Sequence, residues 1–201
     1  MKSVLISIRP QWCEKIASGQ KTIEVRKTAP QEVPFKAYIY CCKAKPYLHK
    51  EANPPFELFL DSELYKGNGY DDRLFSGNVI GDFICDKVVK YDYQVIACAK
   101  YEVNGADVKE ELRYNAGACL TAEEMFSYSK GKTLYGWYIS DLKIYDKPRE
   151  LSEFSRPCSY SGLCFSCKRT SFKKDGNLLC NTKITRPPQS WMHVEDLGEE
   201  K

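Results

Sequence analysis

The run Ser18-Gly-Gln-Lys-Thr-Ile-Glu-Val-Arg-Lys27 constrains the fold more than any other stretch. Gly19 tolerates the left-handed conformation that ends a helix, so residues 11–18 read as a short helix that stops here. Past that point polarity alternates with the period of a strand. Thr22, Glu24 and Arg26 share one face, while Ile23 and Val25 share the other and enter a core. Lys21 stands at the mouth of that strand. A lysine, an acid and an arginine held on a rigid strand end make a polar site with both donors and acceptors. The same pattern also describes an ordinary charged strand face with a cross-strand ion pair.

Strand signals dominate the remaining chain. Residues 4–8 form a first strand, followed by Arg9 and by Pro10, which suits the first turn of a helix. Residues 35–42 read as an aromatic and apolar central strand. Residues 78–91 read as one long strand, in which Gly81 marks a bulge or tight bend. Residues 93–103 read as further β-rich chain, and residues 134–145 as a strand carrying Trp137, Ser140 and Asp141. Thr121 and Glu124 form a capping box that opens a short helix ending near Gly131. Residues 46–77, with Pro54-Pro55 and Gly67-Asn-Gly69, are the least regular region and read as a loop insertion with at most a short helix or strand near residues 56–65. The expectation is an α+β, mainly β chain: a small β-barrel with two or three short helices, forming a single domain over residues 1–201.

Composition narrows the class. The 201 residues are 43% hydrophobic and 28% charged, with a net charge of only +3, so a basic surface has to be local. No apolar run approaches the roughly 20 residues needed to cross a bilayer. The first residues, Met-Lys-Ser-Val-Leu-Ile-Ser-Ile, follow a strand pattern without a signal-peptide cleavage site. A cytoplasmic protein without membrane contact is expected.

The segments Ser7-Ile-Arg-Pro10 and Gly19-Gln-Lys-Thr-Ile-Glu-Val-Arg26 resemble the ASCH domain family, whose hallmark is a Gly-x-Lys-x-x-Glu-x-Arg run after a short helix. Gly136-Trp-Tyr-Ile-Ser-Asp-Leu-Lys-Ile-Tyr145 and Arg186-Pro-Pro-Gln-Ser-Trp191 look like segments of phage- and prophage-borne members. The resemblance covers residues 1–45, 78–92, 134–155 and 184–194. It implies a PUA-like barrel whose cleft beside the first helix takes a ligand, lined by Lys21, Glu24 and Arg26. Arg9, Trp137 and Ser140 are further nominees from neighbouring segments. One branch of the family hydrolyses N4-acetylcytidine, with a threonine nucleophile at the position held here by Glu24. Thr22, on the same strand face by alternation, is the only substitute hydroxyl in the run.

RNA recognition favours splayed bases stacked on aromatic rings with their edges read by hydrogen bonds. Glu24 suits an exocyclic amine such as that of cytosine. Arg9, Lys21 and Arg26 suit phosphates or carbonyls. Trp12 and Trp137 are the candidate stacking faces; Trp12, with Ile16 on the inner face of the first helix, reads first as core, whereas Trp137 reads equally as core or as a stacking face.

Ten cysteines is a high number for a reducing compartment. Cys13, Cys41, Cys42, Cys85, Cys98 and Cys119 lie mostly in apolar segments and read as reduced core thiols. Cys158, Cys164, Cys167 and Cys180 are spaced to hold one structural zinc ion tetrahedrally, with a hairpin turn at Lys174-Asp-Gly176. This is a zinc-ribbon-like insertion over residues 156–183. An iron–sulfur cluster uses the same ligands, and four free thiols are the plain alternative. Arg156, Lys168, Arg169, Lys173, Lys174, Lys183 and Arg186 make its surroundings basic.

Three functions follow. The first is a binding module for RNA or a modified nucleotide or nucleoside. The second is an amidohydrolase acting on N4-acylated cytidine. The third is a protein-interaction adaptor. Oligomeric state leaves no mark on the sequence.

Overall fold

The computed structural model describes residues 1–54, 57–64, 73–100, 117–158, 170–172, 178–180 and 182–198. Its centre is β1 (Lys2–Ile8), which pairs in parallel with β3 (Phe35–Cys41) and antiparallel with β12 (Trp191–Val194). β6 (Val79–Cys85) and β9 (Ser140–Arg149) extend the sheet to the order β12-β1-β3-β6-β9. Nearly every residue of β1, β3 and β6 is buried, because both faces of the sheet are covered. Val4, Ile6, Ile8, Phe35, Ile39 and Phe83 pack on one side with Cys13 and Ile16 of α1 (Pro10–Ala17). Leu5, Tyr38, Tyr40, Val79, Phe154 and Ile184 pack on the other.

A second sheet has the antiparallel order β2 (Ile23–Arg26), β8 (Leu134–Tyr138), β7 (Val88–Tyr91). It is joined to the first by Trp137 of β8, whose ring meets Phe35 of β3 edge-on at 5.1 Å. The other face of this sheet packs Ile23, Val25 and Leu134 against Ile96 of α2 (Tyr93–Lys100) and Met125 of α3 (Ala122–Ser129). The architecture is mainly β with short helices, as the sequence indicated. Among the described residues the strands form separate hydrogen-bonded sheets rather than one closed ring.

Four local expectations change. Residues 134–145, expected as one strand, are β8 in the second sheet and β9 in the main sheet, parted at Ile139. Residues 78–91 are two strands, parted at Asp86 and Lys87, because β6 belongs to the main sheet and β7 to the second. The Gly81 bulge is present: a Cβ there would lie 2.3 Å from the Lys143 carbonyl oxygen, where the β6–β9 register shifts. Residues 93–100 are helical rather than β. Ile96 is buried there against α3, and Tyr93 packs on Phe126 at 5.5 Å, so tertiary packing overrides local preference. Within residues 46–77, β5 (Leu58–Asp61) falls where a short helix or strand was expected, but β4 (Tyr47–Lys50) was not expected, and the two form an antiparallel hairpin beside α1. Fully buried Phe75 and a 2.8 Å bond from the Leu48 N–H to Ser76 Oγ anchor the return of the chain.

β10 (Thr170–Phe172) and β11 (Leu178–Cys180) pair antiparallel, flanking the turn expected at residues 174–176, which itself lies outside the described residues.

Candidate functional site

Arg9 precedes α1 in extended conformation and Pro10 opens the helix. Cys13 and Ile16 turn into the core, whereas Trp12, expected on the inner face, is only partly buried and lines the cavity described below. Gly19, at φ +75°, reverses the chain, and the Lys21 N–H returns to the Lys15 carbonyl at 2.8 Å. Lys21 is thereby folded beside the start of β2. In β2, Glu24 lies opposite Trp137 and Arg26 opposite Tyr135. Both therefore face the space between the two sheets.

These residues border a cavity of about 370 Å³. Its floor is an ion cluster. Glu24 Oε1 lies 3.0 Å from Arg26 Nη2, and Glu24 Oε2 lies 3.5 Å from Lys21 Nζ. Lys21 Nζ also donates to the Ala118 carbonyl at 2.5 Å, and Arg26 Nη2 donates to the Ser7 carbonyl at 2.6 Å. All three groups are more than nine-tenths buried. Two cations against one carboxylate leave a positive excess in a partly dry space. Burial lowers the Lys21 pKa from its ordinary value, against the opposing pull of Glu24. Arg26 Nε is buried without a hydrogen-bond partner among the described residues.

The rim is aromatic and basic. Lys21 Nζ and Lys15 Nζ lie 5.3 Å and 5.4 Å from the Trp12 ring centre. Across the mouth, α3 contributes Tyr128, with Lys27 Nζ 4.9 Å over its ring. Burial raises the Tyr128 hydroxyl pKa. Arg9 is exposed at the mouth. Glu124 also faces the mouth, but Thr121 already uses it: its Oε2 accepts from the Thr121 N–H at 2.8 Å, completing the expected capping box.

Arg9, Lys21, Glu24 and Arg26 thus come together as nominated. Trp137 and Ser140 do not line the cavity. Trp137 is fully buried between Phe35 and Trp191, because its strand runs through the middle of the second sheet. Ser140 begins β9, where its hydroxyl donates to the Ile84 carbonyl at 2.9 Å. Thr22 precedes the first residue of β2 and is exposed, so strand alternation does not carry it to the Glu24 face. Tyr128 and Ser7 were missed. Glu124 and Tyr128 are four apart on α3, which puts them on one side of that helix, but only tertiary docking turns that side toward α1.

The proposed metal ligands are only partly in view. Cys164 and Cys167 lie outside the described residues, Cys158 is exposed, and Cys180 ends β11. Among the described residues no three metal-ligating side chains cluster. No helix is long and apolar enough to cross a membrane, again among the described residues.

No family model matches the sequence, and no curated protein matches it. Solved structures do match in shape. The ASCH protein of Zymomonas mobilis superimposes with a TM-score of 0.51 at 16% identity, covering 96% of this chain and 88% of that one. A tyrosine variant of the same protein gives 0.45 at 18% identity over 75% and 77% of the two chains. A serine variant gives 0.47 at 15% identity over 96% and 89%. The first of these shows that the chain shares the fold of that ASCH protein.

Proposed function

We propose that the protein binds single-stranded RNA and takes one base into the cavity, a cytosine edge being the best chemical match. The observation that carries this reading is the Lys21–Glu24–Arg26 cluster at the floor of a hollow of about 370 Å³ with aromatic walls. Small-ligand pockets span roughly 300–1,000 Å³, which accommodates a nucleobase with its sugar. Each Glu24 oxygen has one cationic neighbour and keeps lone-pair capacity for an exocyclic amine. Lys21 and Arg26 supply donors for the adjacent ring nitrogen and carbonyl. Trp12 and Tyr128 offer ring faces to the base, while Arg9, Lys15 and Lys27 suit phosphates.

The test is a titration of fluorescently labelled hexacytidylate RNA at two salt concentrations. Affinity should fall with salt and weaken about tenfold or more in Trp12→Ala. Affinity indifferent to Trp12 and Arg9 substitutions would remove the cavity from the reading.

The lowered pKa of Lys21 beside a carboxylate favours a second reading, hydrolysis of N4-acylated cytidine. In that reading water replaces the absent hydroxyl nucleophile and Glu24 serves as its base. Incubation with N4-acetylcytidine would release cytidine, and the release would vanish in Lys21→Met. The adaptor reading is left if neither RNA nor the nucleoside is engaged.

The four-cysteine zinc site belongs to the same proposal, supported by the pairing of β10 with β11 around the expected turn. Elemental analysis of purified protein should find about one zinc per chain, because a closed four-thiolate site retains its metal. A metal-free protein with four titratable thiols in this segment would refute it, and iron with labile sulfide would assign a cluster instead.

A further inference from the structure

The cavity wall continues into a second aromatic surface. Ser7, which lines the cavity, donates its hydroxyl to the Pro188 carbonyl at 2.6 Å, and its N–H to the Ser190 carbonyl at 2.9 Å. These bonds fasten the segment before β12 alongside the cavity and deliver Trp191 onto the edge of the main sheet. The opposite rim leads to the same place. Lys27 stands over Tyr128, and the next residue, exposed Thr28, accepts a 3.0 Å hydrogen bond from Trp191 Nε1. Trp191 then meets the exposed His193 ring edge-to-face, with centroids 5.4 Å apart.

The contacts therefore run without a break from the cavity mouth, through Thr28, to two rings on the sheet edge. Trp191 is partly buried, and its orientation is fixed twice: Trp137 supports it from below at 5.8 Å, and Thr28 holds its nitrogen. An indole pinned in this way offers a stacking face without the entropy cost of ordering it. Lys27, next to Thr28, sets a positive charge beside the path. A free nucleoside filling the cavity would gain nothing from this surface. A chain of bases would stack on it, because every base has a π-face whatever its identity.

We propose that Trp191 and His193 form a second base-stacking position beside the cavity, so that the ligand is single-stranded RNA of several nucleotides rather than a free nucleoside or nucleotide. This rests on the cavity reading above.

The experiment compares hexacytidylate RNA with cytidine 5′-monophosphate, the second measured by competition. Wild-type protein should prefer the hexamer strongly, and the ratio of the two affinities should fall about tenfold in His193→Ala combined with Trp191→Ala. Trp191 also packs on Trp137, so Trp191→Phe and His193→Ala serve as milder variants. Phe at 191 should restore most of the hexamer preference, because it keeps a stacking face while losing the bond to Thr28. Hexamer affinity that depends on Trp12 but not on Trp191 or His193 would overturn this inference and spare the cavity. Equal affinity for hexamer and monophosphate would do the same. Binding of neither probe would overturn both.

Discussion

Lys21, Glu24 and Arg26 at the cavity floor are more than nine-tenths buried, whereas Trp12, Arg9 and Tyr128 at the rim keep contact with water. The floor groups hold one another and the backbone of Ser7 and Ala118. The rim groups make no such ion cluster: Trp12 rests one side on the core, and lysines lie over the rings of Trp12 and Tyr128. Damage should therefore register differently in the two regions. Floor substitutions should unfold the chain or loosen its two-sheet junction. Rim substitutions should cost ligand affinity while the fold persists.

The largest effect is expected from Glu24→Ala. It leaves two buried cations without their carboxylate, a change that typically costs about 3–5 kcal/mol. Denaturant unfolding followed by circular dichroism would measure it. A loss below about 1 kcal/mol would mean the cluster behaves as a solvated ion pair, and the contrast between floor and rim would fail.

The two tryptophans sharpen the contrast next. Trp137→Ala empties a fully buried site between Phe35 and Trp191 and should cost about 3–5 kcal/mol of stability. Trp12→Ala should instead cost about 1–3 kcal/mol of RNA binding with a smaller effect on unfolding. Equal unfolding losses in the two variants would show that Trp12 is core after all.

A smaller effect concerns pH. Burial makes Lys21 hold its proton less readily in the folded chain than in the unfolded one. Between that lowered value and 10.5 the unfolded chain binds more protons, so this group's contribution to stability rises with pH. RNA affinity should move the other way, because Lys21 loses its charge in the same window. Lys21→Arg should abolish this alkaline decline, which titrations between neutral pH and pH 10 would reveal. The smallest effect is expected for Lys27→Ala, about two- to fivefold in affinity, with a salt dependence reduced by about one counterion.

The sequence marked the floor well and the rim poorly. Lys21, Glu24 and Arg26 sit within one helix-to-strand transition, where Gly19 and strand alternation fix their directions locally. The role of Trp137 depends on which strand becomes central in the second sheet, and that of Trp12 on how α1 docks on the main sheet; no local pattern carries either. Tyr128 reaches the mouth because α3 packs on α2 and because Lys21 grips the Ala118 carbonyl just before that helix. The capping box located α3 correctly but said nothing of its orientation. Residues 93–100 were misread as strand because Val95 and Ile96 suit either structure, and contact with α3 decided between them. Thr22 stands one position before β2, so alternation does not reach it, and Ser140 lies past the break at Ile139, where the chain crosses to the main sheet and its hydroxyl bonds the Ile84 carbonyl.

Ultraviolet cross-linking of a hexamer RNA carrying one thiouridine, with the modified peptides identified by mass spectrometry, tests the central claim most directly. Adducts should fall on peptides containing Trp12 or Tyr128 and should disappear when cytidine 5′-monophosphate competes. Adducts confined to the cysteine-bearing basic segment, with the cavity peptides unmodified, would contradict a base-binding cavity built on Lys21, Glu24 and Arg26.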